Sequence, residues 1–141
     1  KGELINYSKD QINFDYRKSN FPANSIIISA KFDCLYGNKE EIQSNIKNIK
    51  KIRENSQPIK SKTSGSTFKN PKNNIAAKLI ELSGCKGLQV GDVIVSEKHA
   101  NFLINLDKAS ASEIEDLGSM IIEKVYDKFN IKLEWEIKII G

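Results

Sequence analysis

The residues best suited to chemistry lie in Gly65-Ser66-Thr67-Phe68-Lys69-Asn70-Pro71. Two hydroxyls, an ammonium and a carboxamide follow a glycine that lets the backbone approach a ligand closely. The downstream run Ile75-Ala76-Ala77-Lys78-Leu79-Ile80 reads as the start of a helix. A loop entering a helix presents free amides and the positive end of the helix dipole, so the stretch is a candidate anion or phosphate site. It has one glycine and no Gly-Lys pair, so it is not the phosphate loop of nucleotide triphosphatases, and an ordinary structured turn remains the competing reading. Arg17, beside Tyr16 and Phe14, suits a planar clamp on a carboxylate. His99 is the single histidine, and no G-x-S-x-G elbow accompanies it, which argues against a hydrolase triad. Glu134 and Glu136 alternate with Lys132 and Lys138, and such charges are ordinarily solvated pairs.

The 141 residues make one main domain with room for a real core. The net charge of +4 is carried by lysines, with Arg17 and Arg53 the two arginines. Point-charge lysines without interleaved aromatic rings argue only weakly for nucleic acid, and an acidic ligand fits equally well. Cys34 and Cys85 lack metal-type spacing and read as small core residues of a reducing, cytoplasmic compartment, with no metal site. No apolar run reaches membrane-spanning length. The chain opens on lysine rather than methionine, which suggests a piece of a longer protein.

The elements that must position these side chains follow from periodicity. Residues 1–21 show no helical period. Residues 26–36 alternate, with Ile26, Ile28, Ala30, Phe32, Cys34 and Tyr36 on one face, which predicts a strand. Asn38 is placed to cap a helix whose Ile42, Ile46, Ile49 and Ile52 form one apolar stripe. After the Ser/Thr/Lys loop, a short helix ends at Gly84. Val93-Ile94-Val95 and residues 102–106 read as strands joined by the polar loop 96–101, which is well placed for ligand contacts. Two overlapping capping boxes, Ser110/Glu113 and Ser112/Glu115, start a helix with Ile114, Leu117, Ile121, Val125 and Phe129 buried and Asn130 as its stop. A last strand alternates through Ile131, Leu133, Trp135, Ile137 and Ile139. The order predicts an α+β open-faced sandwich, a mixed or antiparallel sheet with helices packed on one face.

Four motifs in order, residues 14–19, 65–71, 95–102 and 133–141, resemble those of UDP-N-acetylenolpyruvoylglucosamine reductase, also called UDP-N-acetylmuramate dehydrogenase. The resemblance covers essentially the whole chain. It implies that residues 1–21 are the C-terminal remnant of the FAD-binding domain and residues 22–141 the substrate-binding domain. It further implies a flavoenzyme that uses NADPH and FAD to reduce UDP-N-acetylglucosamine enolpyruvate to UDP-N-acetylmuramate for peptidoglycan. Ser66 matches the family's general acid, and Arg17 and Glu136 the pair that polarises the substrate carboxylate. Tyr16 and Asn70 match substrate contacts, Asn70 toward the diphosphate, with Lys69 and His99 near the nucleotide. The missing N-terminal FAD domain would bind the flavin, so residues 1–141 alone are expected to be inactive. Gly91-Asp92-Val93 stands where relatives often carry Gly-Gly-Ala, and the short span from Arg17 to Ser66 resembles the family's short form. A stand-alone basic module binding nucleotides or nucleic acid is the alternative.

Overall fold

Asn38 begins the first long helix in the computed structural model, which describes residues 2–140. Its side chain accepts the Glu41 amide, and α1 runs Lys39–Ser56 with Glu40 and Glu41 in the first turn, as capping and dipole chemistry predict. The isoleucine stripe, Ile42 to Ile52, is exposed.

The chain divides into two units, residues 1–37 and 38–141. In the first, a 3-10 turn at Lys9–Gln11 precedes a small hairpin of β1 (Phe14–Asp15) and β2 (Lys18–Ser19), which the lack of helical period left unassigned. The ring of Phe21 packs edge-on against Tyr7 and Phe14. The predicted strand at residues 26–36 does not form: no strand pairing is assigned there, and Ile26, Ile28, Phe32, Tyr36 and Cys34 are exposed. Alternation marks which side chains share a face, but a strand is held by a hydrogen-bonded neighbour, and the pattern does not supply one. Cys34 is therefore not the core residue its sequence setting suggests; Cys85 is.

The second unit is α+β. After α1 come α2 (Ala76–Leu82), β3 (Gln89–Val90), β4 (Val93–Val95), β5 (Leu103–Asn105) and α3 (Ala111–Phe129). The three strands form an antiparallel sheet in the order β3-β4-β5. Gly91 and Asp92 make the β3–β4 turn, with Val90 opposite Val93. Gly91 has φ +52 and Asp92 does not lie in the left-handed region, the sign pattern of a type II′ turn. Gly91-Asp92-Val93 is thus a sound hairpin sequence.

Helix α3 uses the first of the two capping boxes: Ser110 Oγ accepts the Glu113 amide and Glu113 returns a carboxylate oxygen to the Ser110 amide. These bonds from Ser110 also hold the Glu113 carboxyl below its usual pKa. Asn130 closes the helix at φ +53. Leu117, Ile121 and Val125 of α3 pack with Leu79 and Ile80 of α2 over Val93, Val95 and Leu103. Each such buried aliphatic side chain contributes roughly 1.5–3 kcal/mol. Helices α2 and α3 therefore cover one face of the sheet.

Candidate functional site

The stretch that opens at Gly65 is threaded into the sheet rather than looped over a ligand. Asn105 donates its amide to the Lys62 carbonyl, and Ser66 pairs antiparallel with Phe102, so residues 62–66 run along β5. Four steps separate Lys62 from Ser66 against three from Asn105 to Phe102, which makes a one-residue bulge. Gly65, at φ +91, supplies the left-handed backbone that the bulge requires.

Beyond the bulge, Phe68 pairs with Trp135. Lys69 donates to the Glu134 carbonyl at 2.8 Å and Glu136 to the Thr67 carbonyl at 2.8 Å. That pattern makes Phe68 and Trp135 the non-hydrogen-bonded pair, whose side chains approach most closely, and their ring centroids lie 4.9 Å apart. The predicted last strand is in this way reduced to a short pairing around Trp135, with Leu133 buried and Ile139 exposed. Trp135 lies over Gly118 of α3, where any Cβ would enter its ring.

This pairing changes the anion-turn reading of residues 65–71. The amides of Thr67, Phe68 and Lys69 are committed to the Asn101 carbonyl, the Asn101 side chain and the Glu134 carbonyl. At the entry to α2, the Ala76 amide is taken by Asn70 Oδ1 at 2.9 Å. The segment is a strand-like rail whose side chains, rather than these amides, are left to meet a ligand.

Ser66 is half-buried. Thr67, the next residue, stands opposite Glu136, so Ser66 and Glu136 are neighbours along the ladder. Alternation sends Thr67 and Lys69 to the Glu134–Glu136 side and places Ser66 on the Phe68 side. Ser66 and Glu136 thus lie one step apart along the ladder, on its two faces. The Thr67 hydroxyl is buried with no hydrogen-bond partner among the described residues. Lys69 makes an exposed ion pair with Glu134 at 3.3 Å, the kind that contributes little to stability. Asn70 follows on the same rail.

His99 sits in the turn that delivers Phe102 to this pairing. Its Nδ1 accepts the Asn101 amide at 3.3 Å, which leaves the proton on Nε2, and its ring meets Phe102 edge-on at 4.7 Å. Burial disfavours the imidazolium and lowers the His99 pKa, with Lys86 adding to the effect against an opposing backbone hydrogen bond. Ser96 Oγ accepts the amides of Lys98 and His99 and fixes the turn.

Tyr16 and Arg17 are together in the first unit, forming the two-residue turn between β1 and β2, with the guanidinium carbon 5.5 Å from the tyrosine ring centroid. Arg17 has φ +58, a conformation that costs a non-glycine residue about 1–2 kcal/mol. The tight turn between Asp15 and Lys18 accounts for this left-handed backbone at its second position.

A shallow groove of about 480 Å³ lies between the end of α1 and the other face of β4 and β5, lined in part by Pro58, Ile59, Ile94, Lys98 and Ile104. None of the candidate residues lines it, so size alone does not locate the chemistry. Among the described residues no cluster of three or more His, Cys, Asp or Glu side chains could hold a metal, and no helix is long and apolar enough to cross a membrane. Sequence reasoning missed Asn101, which hydrogen-bonds both Thr67 and Phe68 of the rail. Its one local signal is a carboxamide between Ala100 and Phe102, since buried polar groups must find partners.

The family model of the UDP-N-acetylenolpyruvoylglucosamine reductase C-terminal domain matches residues 57–140. A UDP-N-acetylenolpyruvoylglucosamine reductase of Gluconobacter oxydans is 46% identical over 141 residues, covering 100% of this chain and 46% of the relative. One of Novosphingobium aromaticivorans is 46% identical over 140 residues, 99% of this chain and 47% of the relative. The crystal structure of UDP-N-acetylenolpyruvylglucosamine reductase (MurB) from Thermus caldophilus superposes with a TM-score of 0.76 at 35% identity, covering 92% of this chain and 47% of that one. The chain spans about half the length of the curated relatives it matches. These matches do not favour a stand-alone nucleotide or nucleic-acid module.

Proposed function

The chain belongs to the UDP-N-acetylenolpyruvoylglucosamine reductase family as its C-terminal domain, and from that premise we propose that, within a full-length flavoprotein, it binds UDP-N-acetylglucosamine enolpyruvate and supports its reduction to UDP-N-acetylmuramate. NADPH and FAD would be the hydride sources, in the cytoplasm, for peptidoglycan precursor synthesis. In this reading residues 1–21 complete the flavin-binding domain and residues 22–141 hold the substrate. Hydride would come from a flavin held by the rest of the full-length protein.

The observation that supports the reading is the ladder, which puts Ser66 and Glu136 one step apart along a single pairing of the 65–71 segment with the Trp135 segment, their side chains leaving it on its two faces. Reduction of the enolpyruvyl methylene carbon leaves negative charge on the adjacent carbon and its carboxylate. Ser66 would protonate that carbon; a serine is a poor acid in water, but here it need only be held in place next to a strong base. Glu136 and the Arg17 fork would hold and polarise the substrate carboxylate as charge builds, when such contacts contribute most. Asn70 is assigned to the diphosphate, and Tyr16, Lys69 and His99 to other parts of the nucleotide sugar. Neutral His99, with its Nε2 proton, suits a hydrogen-bond donor.

The test is to separate the half-reactions in the full-length enzyme. Ser66→Ala should leave flavin reduction by NADPH unchanged and slow flavin reoxidation by the enolpyruvyl substrate roughly 10²- to 10⁴-fold, the usual range for a lost general acid. Equal loss in both half-reactions would refute the role.

A further inference from the structure

We infer that Asn101 is a positioning residue for Ser66, holding the backbone of the reactive segment through its buried carboxamide. The inference rests on the reading of Ser66 as proton donor. Asn101 is 4% exposed, and its main chain and side chain act on consecutive residues of the rail. Its carbonyl accepts the Thr67 amide at 2.8 Å. Its Oδ1 accepts the Phe68 amide at 2.9 Å, and its Nδ2 donates to the Phe68 carbonyl at 2.8 Å.

Backbone alone does not make this arrangement. The chain turns at this point, with the Phe102 amide donating to the His99 carbonyl at 3.0 Å, so regular pairing with the rail stops at the Ser66–Phe102 bridge. A carboxamide carries the same donor and acceptor as a peptide group. The Asn101 side chain thus extends the ladder by one residue where its own strand has turned away. These bonds fix the peptide planes immediately after Ser66. On the other side of Ser66 lies the bulge, where the Gly65 amide donates to Thr63 Oγ1 at 3.4 Å. Together with the Ser66–Phe102 bridge, the Asn101 bonds hold the backbone from which the Ser66 side chain projects. The Asn101 amide also donates to His99 Nδ1, so one residue aligns both the rail and the histidine turn.

The variants follow from the donor and acceptor count. Asn101→Asp keeps an acceptor for the Phe68 amide, but when ionised it turns a second oxygen against the Phe68 carbonyl. When protonated, it restores a donor and an acceptor. In the full-length flavoprotein, Asn101→Asp at pH 8 should leave flavin reduction by NADPH unchanged. Reoxidation by the enolpyruvyl substrate should slow roughly 100-fold, as for a reacting group misplaced by about 1 Å. The loss should shrink as pH is lowered. Combined with Ser66→Ala, it should add nothing to the loss caused by Ser66→Ala alone, because the group being positioned is gone. Asn101→Ser, small and neutral, is carried through the same double-variant comparison in case the buried charge prevents folding. Losses that multiply in the double variant, or an Asn101 loss shared by both half-reactions, would overturn the positioning role while leaving Ser66 as the acid. A Ser66→Ala enzyme with undiminished substrate reduction would sink both.

Discussion

At the scale of single residues, His99 shows how environment selects a protonation state. The usual imidazole pKa is about 6.5; burial in the turn over Phe102 lowers it, so the folded protein favours the neutral ring. Between that lowered value and about 6.5 the unfolded chain binds more protons than the folded one, so stability rises with pH across the window. Wild type should therefore lose stability relative to His99→Gln as pH falls below about 6.5, with the difference levelling off once the folded histidine also titrates. Thermal midpoints of the two proteins at pH 7.5, 6 and 5 would show it, and a constant separation would exclude it. Asn101 makes the complementary point. Its value lies in partners 33 residues away, Phe68 N–H and C=O, which no local spacing announces.

Among the elements, α3 and the Trp135 segment are coupled through one missing side chain. Helix propensity alone marks Gly118, in the middle of α3, as a weak point that alanine would improve by about 1 kcal/mol. The packing reverses the sign, because a Cβ at Gly118 would enter the six-membered ring of Trp135. Gly118→Ala should destabilise the protein by about 1–3 kcal/mol through overpacking. Trp135 is the single tryptophan, so its emission should shift as the ring is displaced. An unchanged melting curve and spectrum would show that the contact is dispensable. Glu136 follows Trp135 directly, so the same substitution disturbs a proposed site residue from the opposite side of the sheet. The ends of α1 and α3 were legible in advance because a cap and its target lie three residues apart, as Asn38 and Glu41 or Ser110 and Glu113 do.

Over the whole molecule, the two units differ in what holds them. In residues 38–141 the buried valines of β4 pack beneath α2 and α3. Residues 26–36, in the other unit, show apolar side chains to solvent and no strand pairing. Amide exchange in this chain should accordingly be slow in α3, β4 and β5 and fast over residues 26–36. Comparable protection in the two regions would mean that the alternating segment has found a partner. Taken by itself, the sequence determined what depends on short range: helix caps, the left-handed stop at Asn130, the hydrophobic face of α3, the candidate residues and the family resemblance. Tertiary structure alone decided the pairing of Ser66 with Phe102 and of Phe68 with Trp135, the commitment of the amides after Ser66, and the exposure of residues 26–36. The physical reason is that a helix satisfies its backbone within a few residues, whereas a strand needs a partner from elsewhere in the chain, and alternation names its faces without naming that partner.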